Sequence, residues 1–283
     1  MDYQWYPGHM TKAKRQMQED IKLVDLVIEL TDARTPLSGR NPDIDTLAAG
    51  KSRILVLNKS DLSDPEENNA WMDYFRKKGL IACQVNSRAG SGLRQIRPMV
   101  TEACREKIER DRKRGIVNRP LRAMIAGIPN VGKSTFINSF AKKSAAKTGN
   151  RPGVTKGRQW ITVDKTLQLL DTPGILWPKF EDKAAGIRLA AIGCIRDEIL
   201  DSQELAVWLI KQLREEYPEV LPARFGIDQE GEPFDVLLRI ADARKCLKAG
   251  SEPDPEKAAA LLLDEFRCGV LGRLTLEKVP EDL

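Results

Sequence analysis

Gly127-Ile128-Pro129-Asn130-Val131-Gly132-Lys133-Ser134 decides how the chain is read. Glycine, four residues, then Gly-Lys-Ser is the full P-loop pattern. The apolar run Leu121–Ala126 before it predicts a strand, and the residues from Thr135 onward predict a helix. In that setting, backbone N–H groups and the helix N-terminus surround phosphate oxygens. Lys133 brings a point charge to the β and γ phosphates, and Ser134 brings a hydroxyl to Mg2+. Val131, Gly132 and Thr135 complete the expected nucleotide contacts here. A plain glycine turn before a helix is the bland alternative, and the complete motif in its context outweighs it.

A P-loop names a phosphate site, not a base. The base comes from Asn58-Lys59-Ser60-Asp61, which follows the strand-like run Ile54–Leu57. A carboxylate at Asp61 accepts from the ring N–H and the exocyclic amine of guanine, a donor pair that adenine lacks. Asn58 braces the loop or meets the base edge, and the aliphatic stem of Lys59 covers the ring plane. A second base loop is expected at Asn86-Ser87-Arg88-Ala89, after the run Leu80–Val85, where a backbone N–H meets the guanine oxygen. Beyond the P-loop, Leu167–Leu170 delivers Asp171-Thr172-Pro173-Gly174. Asp171 is expected to hold Mg2+ through water, and the Gly174 N–H to sense the γ-phosphate. Thr155, in the polar stretch Lys142–Arg158, offers a further hydroxyl to Mg2+.

Short apolar strands alternating with helical runs predict a mostly parallel α/β sheet. Helices are expected from Thr11, as a cap, to Ile21 or Lys22, at Asp43–Ala49, at Pro65–Lys78 and as one long element over Leu93–Arg114. Val24–Leu30 reads as a strand, and Trp160–Val163 pairs with Leu167–Leu170. After Pro178 the pattern turns helical, near Asp182–Cys194, Gln203–Glu215, Asp235–Ala249 and Pro255–Cys268. The expected division is therefore a nucleotide domain over residues 1–178 and an all-helical domain over 179–283.

Charge is split between these parts. The first 178 residues hold 31 Lys and Arg against 19 Asp and Glu, whereas the rest holds 15 against 22. A basic first part implies an extended anionic partner touched mainly there. Five scattered cysteines and one histidine argue against a zinc site and fit a reducing compartment. The absence of a long apolar run or a signal-like N-terminus predicts a cytoplasmic chain with no membrane contact.

These motifs resemble those of translation-factor-type GTPases, but in a changed order. The base motif at Asn58 and the Ser87 loop precede the P-loop, and Thr155 and Asp171 follow it. That circular permutation resembles the YlqF/RbgA/YawG family. Trp5-Tyr6-Pro7-Gly8-His9-Met10, the Asp32-Ala33-Arg34 turn and the helical C-terminal part are similar to its bacterial 50S-assembly branch. The resemblance implies a circularly permuted P-loop GTPase domain, GTP as substrate with Mg2+, and turnover stimulated by the ribosomal subunit. It also implies a role in late large-subunit (50S) assembly, with contact to the subunit precursor, 23S rRNA and ribosomal proteins. The free protein is expected to be monomeric.

Gly174 is followed by Ile175, where many small GTPases carry a water-orienting glutamine. The resemblance therefore points elsewhere. Asn130 resembles the potassium-binding asparagine of cation-activated GTPases, although it also suits a turn stabiliser. His9 is implied as the catalytic histidine, although an aromatic-flanked turn also packs a histidine structurally. Lys142, Lys143, Lys147, Arg151, Lys156 and Arg158 concentrate charge near Thr155 and suit RNA phosphates. In the acidic helical part, Arg244 and Lys245 belong to a local basic face. The run Arg110–Arg114 reads either as phosphate-binding or as a solvated helix end. A ribosome-assembly GTPase, a GTPase switch on another RNA or protein, and a nucleotide-dependent binding module are the readings carried forward.

Overall fold

In the computed structural model, which describes residues 9–117, 119–142, 146, 159–174, 183–195 and 201–280, β1 (Leu26–Asp32) is buried at every residue. It is the middle of a parallel core, with β2 (Ser52–Asn58) on one side and β4 (Leu121–Ala126) on the other. β3 (Ile81–Val85) extends the sheet beyond β2. β6 (Leu167–Asp171) pairs parallel with β4, and β5 (Gln159–Asp164) closes that edge antiparallel. The order is β3-β2-β1-β4-β6-β5. Strands covered on both faces read as near-continuous apolar runs, which is why Ile54–Leu57 and Ala123–Ala126 stand out in the sequence.

Helices cover the sheet: α1 (His9–Lys22), α2 (Pro42–Leu47), α3 (Pro65–Lys77), α4 (Ile96–Ala103), α5 (Arg105–Lys113) and α6 (Lys133–Ala141). After β6 every described element is helical: α7 (Lys183–Ala191), α8 (Ser202–Glu216), α9 (Val220–Phe225), α10 (Pro233–Ala243) and α11 (Pro255–Cys268). Their starts obey capping chemistry. Asp64 accepts from the Glu66 N–H at 2.8 Å with Pro65 in the first turn, and Asp254 accepts from Glu256 and Lys257 ahead of α11. One continuous apolar cluster runs from the sheet, through Leu26, Ile54 and Ile125, to Leu209, Ile240 and Phe266 of the helices. The helical part is therefore packed on the sheet rather than strung from it.

Four expectations are corrected. Thr11 lies inside α1, which starts at His9, immediately after the Pro7-Gly8 pair. The long helix over 93–114 is a 3-10 turn at Leu93–Gln95 followed by α4 and α5, broken at Cys104 (φ −103°, ψ 11°). Apolar burial ends there: α4 buries Ile96 and Val100, whereas α5 buries none of its residues. α10 stops at Ala243, and Lys245 takes a left-handed φ of 54°, so no helix reaches Ala249. α9 is an additional helix that the pattern after Pro178 does not predict; Pro222 sits in its first turn, where a helix needs no N–H from it. Among the described residues no helix is long and apolar enough to cross a membrane.

Candidate functional site

Parallel strands place their carboxyl ends on one edge of a sheet, and ligands of open α/β sheets bind there. Here the ends of β1, β2, β3, β4 and β6 carry Asp32, Asn58, Asn86, the P-loop and Asp171 to that edge.

The P-loop has little freedom. Gly127 has φ +148°, and a Cβ on it would lie 2.4 Å from the Leu30 carbonyl oxygen. Gly132 has φ +92°, and a Cβ there would meet Asn58 Nδ2 at 2.5 Å. Asn130 also takes a left-handed φ of 61°. Lys133 opens α6 and is buried, donating from Nζ to the carbonyl oxygens of Gly127 (3.0 Å) and Ile128 (2.8 Å). Burial pushes its pKa down to about 8, against the pull of nearby Asp171. Ser134 and Thr135 follow it in the first turn, both half-buried.

Asp171 is buried at the end of β6, and burial raises its carboxyl pKa although Lys133 opposes the shift. Its Oδ1 has no hydrogen-bond partner among the described residues. An orphaned carboxylate oxygen near Lys133, the residue before Ser134, fits a hydrated Mg2+. Thr172 donates its hydroxyl to the Ile125 carbonyl at 2.8 Å, which locks the exit from β6 onto β4. Gly174 then lies directly against the P-loop, since a Cβ there would sit 2.7 Å from Lys133 Nζ and 2.8 Å from the Pro129 nitrogen. The sequence motif alone marks Gly174, but the contact shows why no side chain fits.

The base end is joined to the phosphate end through Asn58. Its Nδ2 donates to the Val131 carbonyl at 2.7 Å. Its Oδ1 accepts from the Ser87 hydroxyl (2.7 Å) and the Ser87 N–H (3.2 Å). Asn58 and Ser87 are thus buried braces between three loops. In the second loop Asn86 Oδ1 accepts from the N–H groups of Arg88 and Ala89, both at 3.0 Å, and folds the loop into a tight turn. The Arg88 side chain is exposed. Lys59 takes φ 58° and places Nζ 2.9 Å from Asp32. Asp61 is exposed on the turn that the Leu62 N–H to Lys59 carbonyl bond closes at 2.9 Å.

Asp32 and Arg34, marked in the sequence only through the family resemblance of their turn, adjoin the base end through Lys59. Asp32 is fully buried and chelates the Arg34 guanidinium at 2.9 and 2.8 Å. Burial alone would raise the Asp32 pKa, but Arg34 and Lys59 together hold it well below the ordinary 3.8. The available signal was an acid ending an apolar strand two residues before an arginine.

Other expected residues divide. Asn130 donates from Nδ2 to the Gly193 carbonyl at 2.7 Å, so its amide nitrogen ties the P-loop to the chain after α7. Lys142 is exposed at the end of α6. Arg244, expected on a local basic face, is half-buried. Its guanidinium lies 5.1 Å from the Phe225 ring centre and donates to the Arg224 carbonyl at 3.3 Å. Lys245 beside it is exposed. His9 opens α1, and its side chain lies outside the described residues. Lys143, Lys147, Arg151, Thr155, Lys156 and Arg158 also lie outside them.

Residues 122–233 match a family described as 50S ribosome-binding GTPase. The match begins within β4 and leaves out Asn58–Asp61, as a permuted order requires. The chain is 48% identical over 283 residues to ribosome biogenesis GTPase A of Bacillus cereus, covering 100% of this chain and 95% of that one. Its identity to the protein of the same name from Bacillus licheniformis is 47% over 284 residues, covering 100% of both. In structure it is similar to GNP-bound YlqF from T. maritima, with a TM-score of 0.67, 28% identity, and coverage of 96% of this chain and 100% of that one.

Proposed function

The chain belongs to the ribosome biogenesis GTPase A family, and from that premise we propose that it hydrolyses GTP as a late step in assembling the large (50S) ribosomal subunit. The observation that carries the GTP reading is Asn58, which bonds both to the P-loop at Val131 and to the second base loop at Ser87. One side chain thereby sets the spacing between a phosphate cradle and a guanine-reading carboxylate, Asp61.

The chemistry follows from the residues. Lys133 exchanges its carbonyl partners for the β- and γ-phosphate oxygens, where its charge offsets the charge that builds up as the bond breaks. Gly174, already against Lys133 and Pro129, offers its N–H to the γ-phosphate. Ser134 and Asp171, together with Thr155, would hold Mg2+, which would supply charge neutralisation at the phosphates. Because Ile175 carries no polar group, His9 orients the attacking water. Asn130 keeps its amide nitrogen on Gly193 and offers its oxygen to K+. The products are GDP and phosphate.

Residues 1–178 act as the GTPase unit and 179–283 as a helical unit for the subunit precursor, in the cytoplasm. 23S rRNA phosphates and ribosomal proteins are the partners. Lys142, Lys143, Lys147, Arg151, Lys156, Arg158, Arg244 and Lys245 form the RNA contacts, with Arg244 also stacked on Phe225. Phosphate release is measured with precursor and mature large subunits, in K+ and in Na+. The expected result is stimulation by the precursor that needs K+. Equal turnover without the precursor would contradict the assembly role, and equal rates in both salts would remove the Asn130 assignment. His9→Ala is expected to keep GTP and precursor binding but lose stimulated turnover, and unchanged single-turnover rates would defeat its role.

A further inference from the structure

The turn that carries Asp61 is held from outside its own domain. α11 ends at Gly269, whose φ of +78° turns the chain back over the sheet. The following residues then run along the loop after β2. Arg273 donates from Nε to the Ser63 carbonyl and from Nη2 to the Ser60 carbonyl, both at 3.0 Å. The Leu274 N–H donates to the Leu62 carbonyl at 3.0 Å, and the Asp64 N–H donates to the Thr275 hydroxyl at 3.1 Å. Further along, the Leu276 N–H donates to the Arg34 carbonyl at 2.8 Å and Trp71 Nε1 donates to the Glu277 carbonyl at 3.0 Å. Leu274, Thr275, Leu276 and Glu277 are all buried in this position.

Four of the backbone groups caught here, on Ser60, Leu62, Ser63 and Asp64, flank Asp61, and none belongs to Asp61 itself. Among the described residues no hydrogen bond reaches the Asp61 carboxylate, so its placement depends on the turn around it. Residues up to 213 positions later in the chain therefore order that turn before any ligand arrives. Ordering a recognition loop in advance removes its entropic cost from binding. The benefit falls on the group the turn presents, a carboxylate aimed at the guanine N–H and amine.

We propose that the strap Arg273–Glu277 is a specificity-positioning element of the guanine site. It fixes the Lys59–Asp64 turn so that Asp61 meets the exocyclic amine, with Arg273 and Thr275 as its positioning residues. The proposal rests on the guanine reading of Asp61.

The test compares the affinities of the full-length protein for GDP and for inosine diphosphate, which lacks only the exocyclic amine. Arg273 is exposed, so Arg273→Ala is expected to fold normally. In that variant GDP binding is expected to weaken about five- to tenfold, and the GDP-to-IDP affinity ratio to shrink about threefold, the scale of lost charge-assisted bonds. Arg273→Lys, which keeps one such bond, is expected to recover part of the ratio. The loss is expected in KM for GTP and not in kcat. Thr275→Val gives an independent reading through Asp64, with a smaller loss of the same ratio. Equal weakening for both nucleotides, or an unchanged ratio in Arg273→Ala, would overturn the proposal. A wild-type protein that does not distinguish GDP from IDP would instead overturn the guanine reading beneath it.

Discussion

The two ends of the site are built on different principles. The phosphate end is mainly local, although Asn130 also ties it to Gly193. Gly127–Ser134 is one continuous stretch, and Gly174 reaches it from β6, the strand beside β4. The base end is assembled from distant pieces. Asn58 reaches Val131, Lys59 reaches Asp32, Arg34 reaches the carbonyls of Phe266 and Arg267, and Arg273 reaches Ser60 and Ser63. Chemistry on a phosphate needs a fixed cradle, which a short loop and a helix start largely supply. Reading a base needs a carboxylate held on a turn, and such a turn has to be steadied from outside.

The strongest way to break this contrast is at Asp32, the junction of the base end with α11. Asp32→Asn leaves Arg34 buried without its counter-ion and Lys59 without its anchor. The expected cost is about 3–5 kcal/mol of folding stability, as for removing one partner of a buried pair. Urea unfolding checks it. The same carboxyl predicts a pH effect with a definite sign. Its folded pKa is depressed, so its stabilisation is complete above its unfolded value of about 3.9 and is lost as pH falls below it. The Asp32→Asn variant lacks that acid-dependent component.

At the phosphate end, Lys133→Ala is expected to lower GTP turnover by about 100- to 1,000-fold, the scale of one lost charge-stabilising donor. Phosphate release at saturating GTP checks it, with folding stability little reduced because a desolvated cation is removed. Asn58→Ala cuts the link between the ends. It is expected to weaken GDP binding about tenfold or more, because the Val131 carbonyl and Ser87 hydroxyl lose a buried partner. Calorimetric titration measures that loss. The smallest effect is a titration of Lys133 itself. Phosphate binds its charged form, and burial holds its pKa near 8. GDP affinity is expected to fall about fivefold between pH 8 and pH 9, as free protein must take up a proton to bind. Lys133→Arg, which stays charged, is expected to show no such fall.

The same contrast explains what could be read from the sequence. The P-loop, Asn58–Asp61 and Asp171–Gly174 each carry their meaning in a few adjacent residues, and the alternation of strands and helices places them on one sheet edge. The partners of Asn58 were hidden, because a side chain that braces and one that touches a base follow the same motif. Arg273 was hidden for a stronger reason: nothing near it in the chain marks the loop it bonds. Arg244 shows another hidden partner, since a basic residue read by its charge alone also stacks on Phe225. The break at Cys104 is hidden because helix periodicity continues in sequence after burial has ended, whereas α10 stops at a left-handed Lys245 although Cys246 beyond it is still buried.

The central claim is that selection of the base and chemistry at the phosphate are separable, and Asp61→Asn tests it most directly. Xanthine carries a carbonyl where guanine carries its amine, so an amide at this position offers a donor to the changed edge. The measurement is precursor-stimulated hydrolysis of GTP and of xanthosine triphosphate by the variant, with kcat and KM resolved for each. In the variant KM is expected to switch in favour of the xanthine nucleotide while kcat stays at the wild-type GTP value. Loss of GTP turnover with no gain on xanthosine triphosphate, or a collapse of kcat on both, would contradict it.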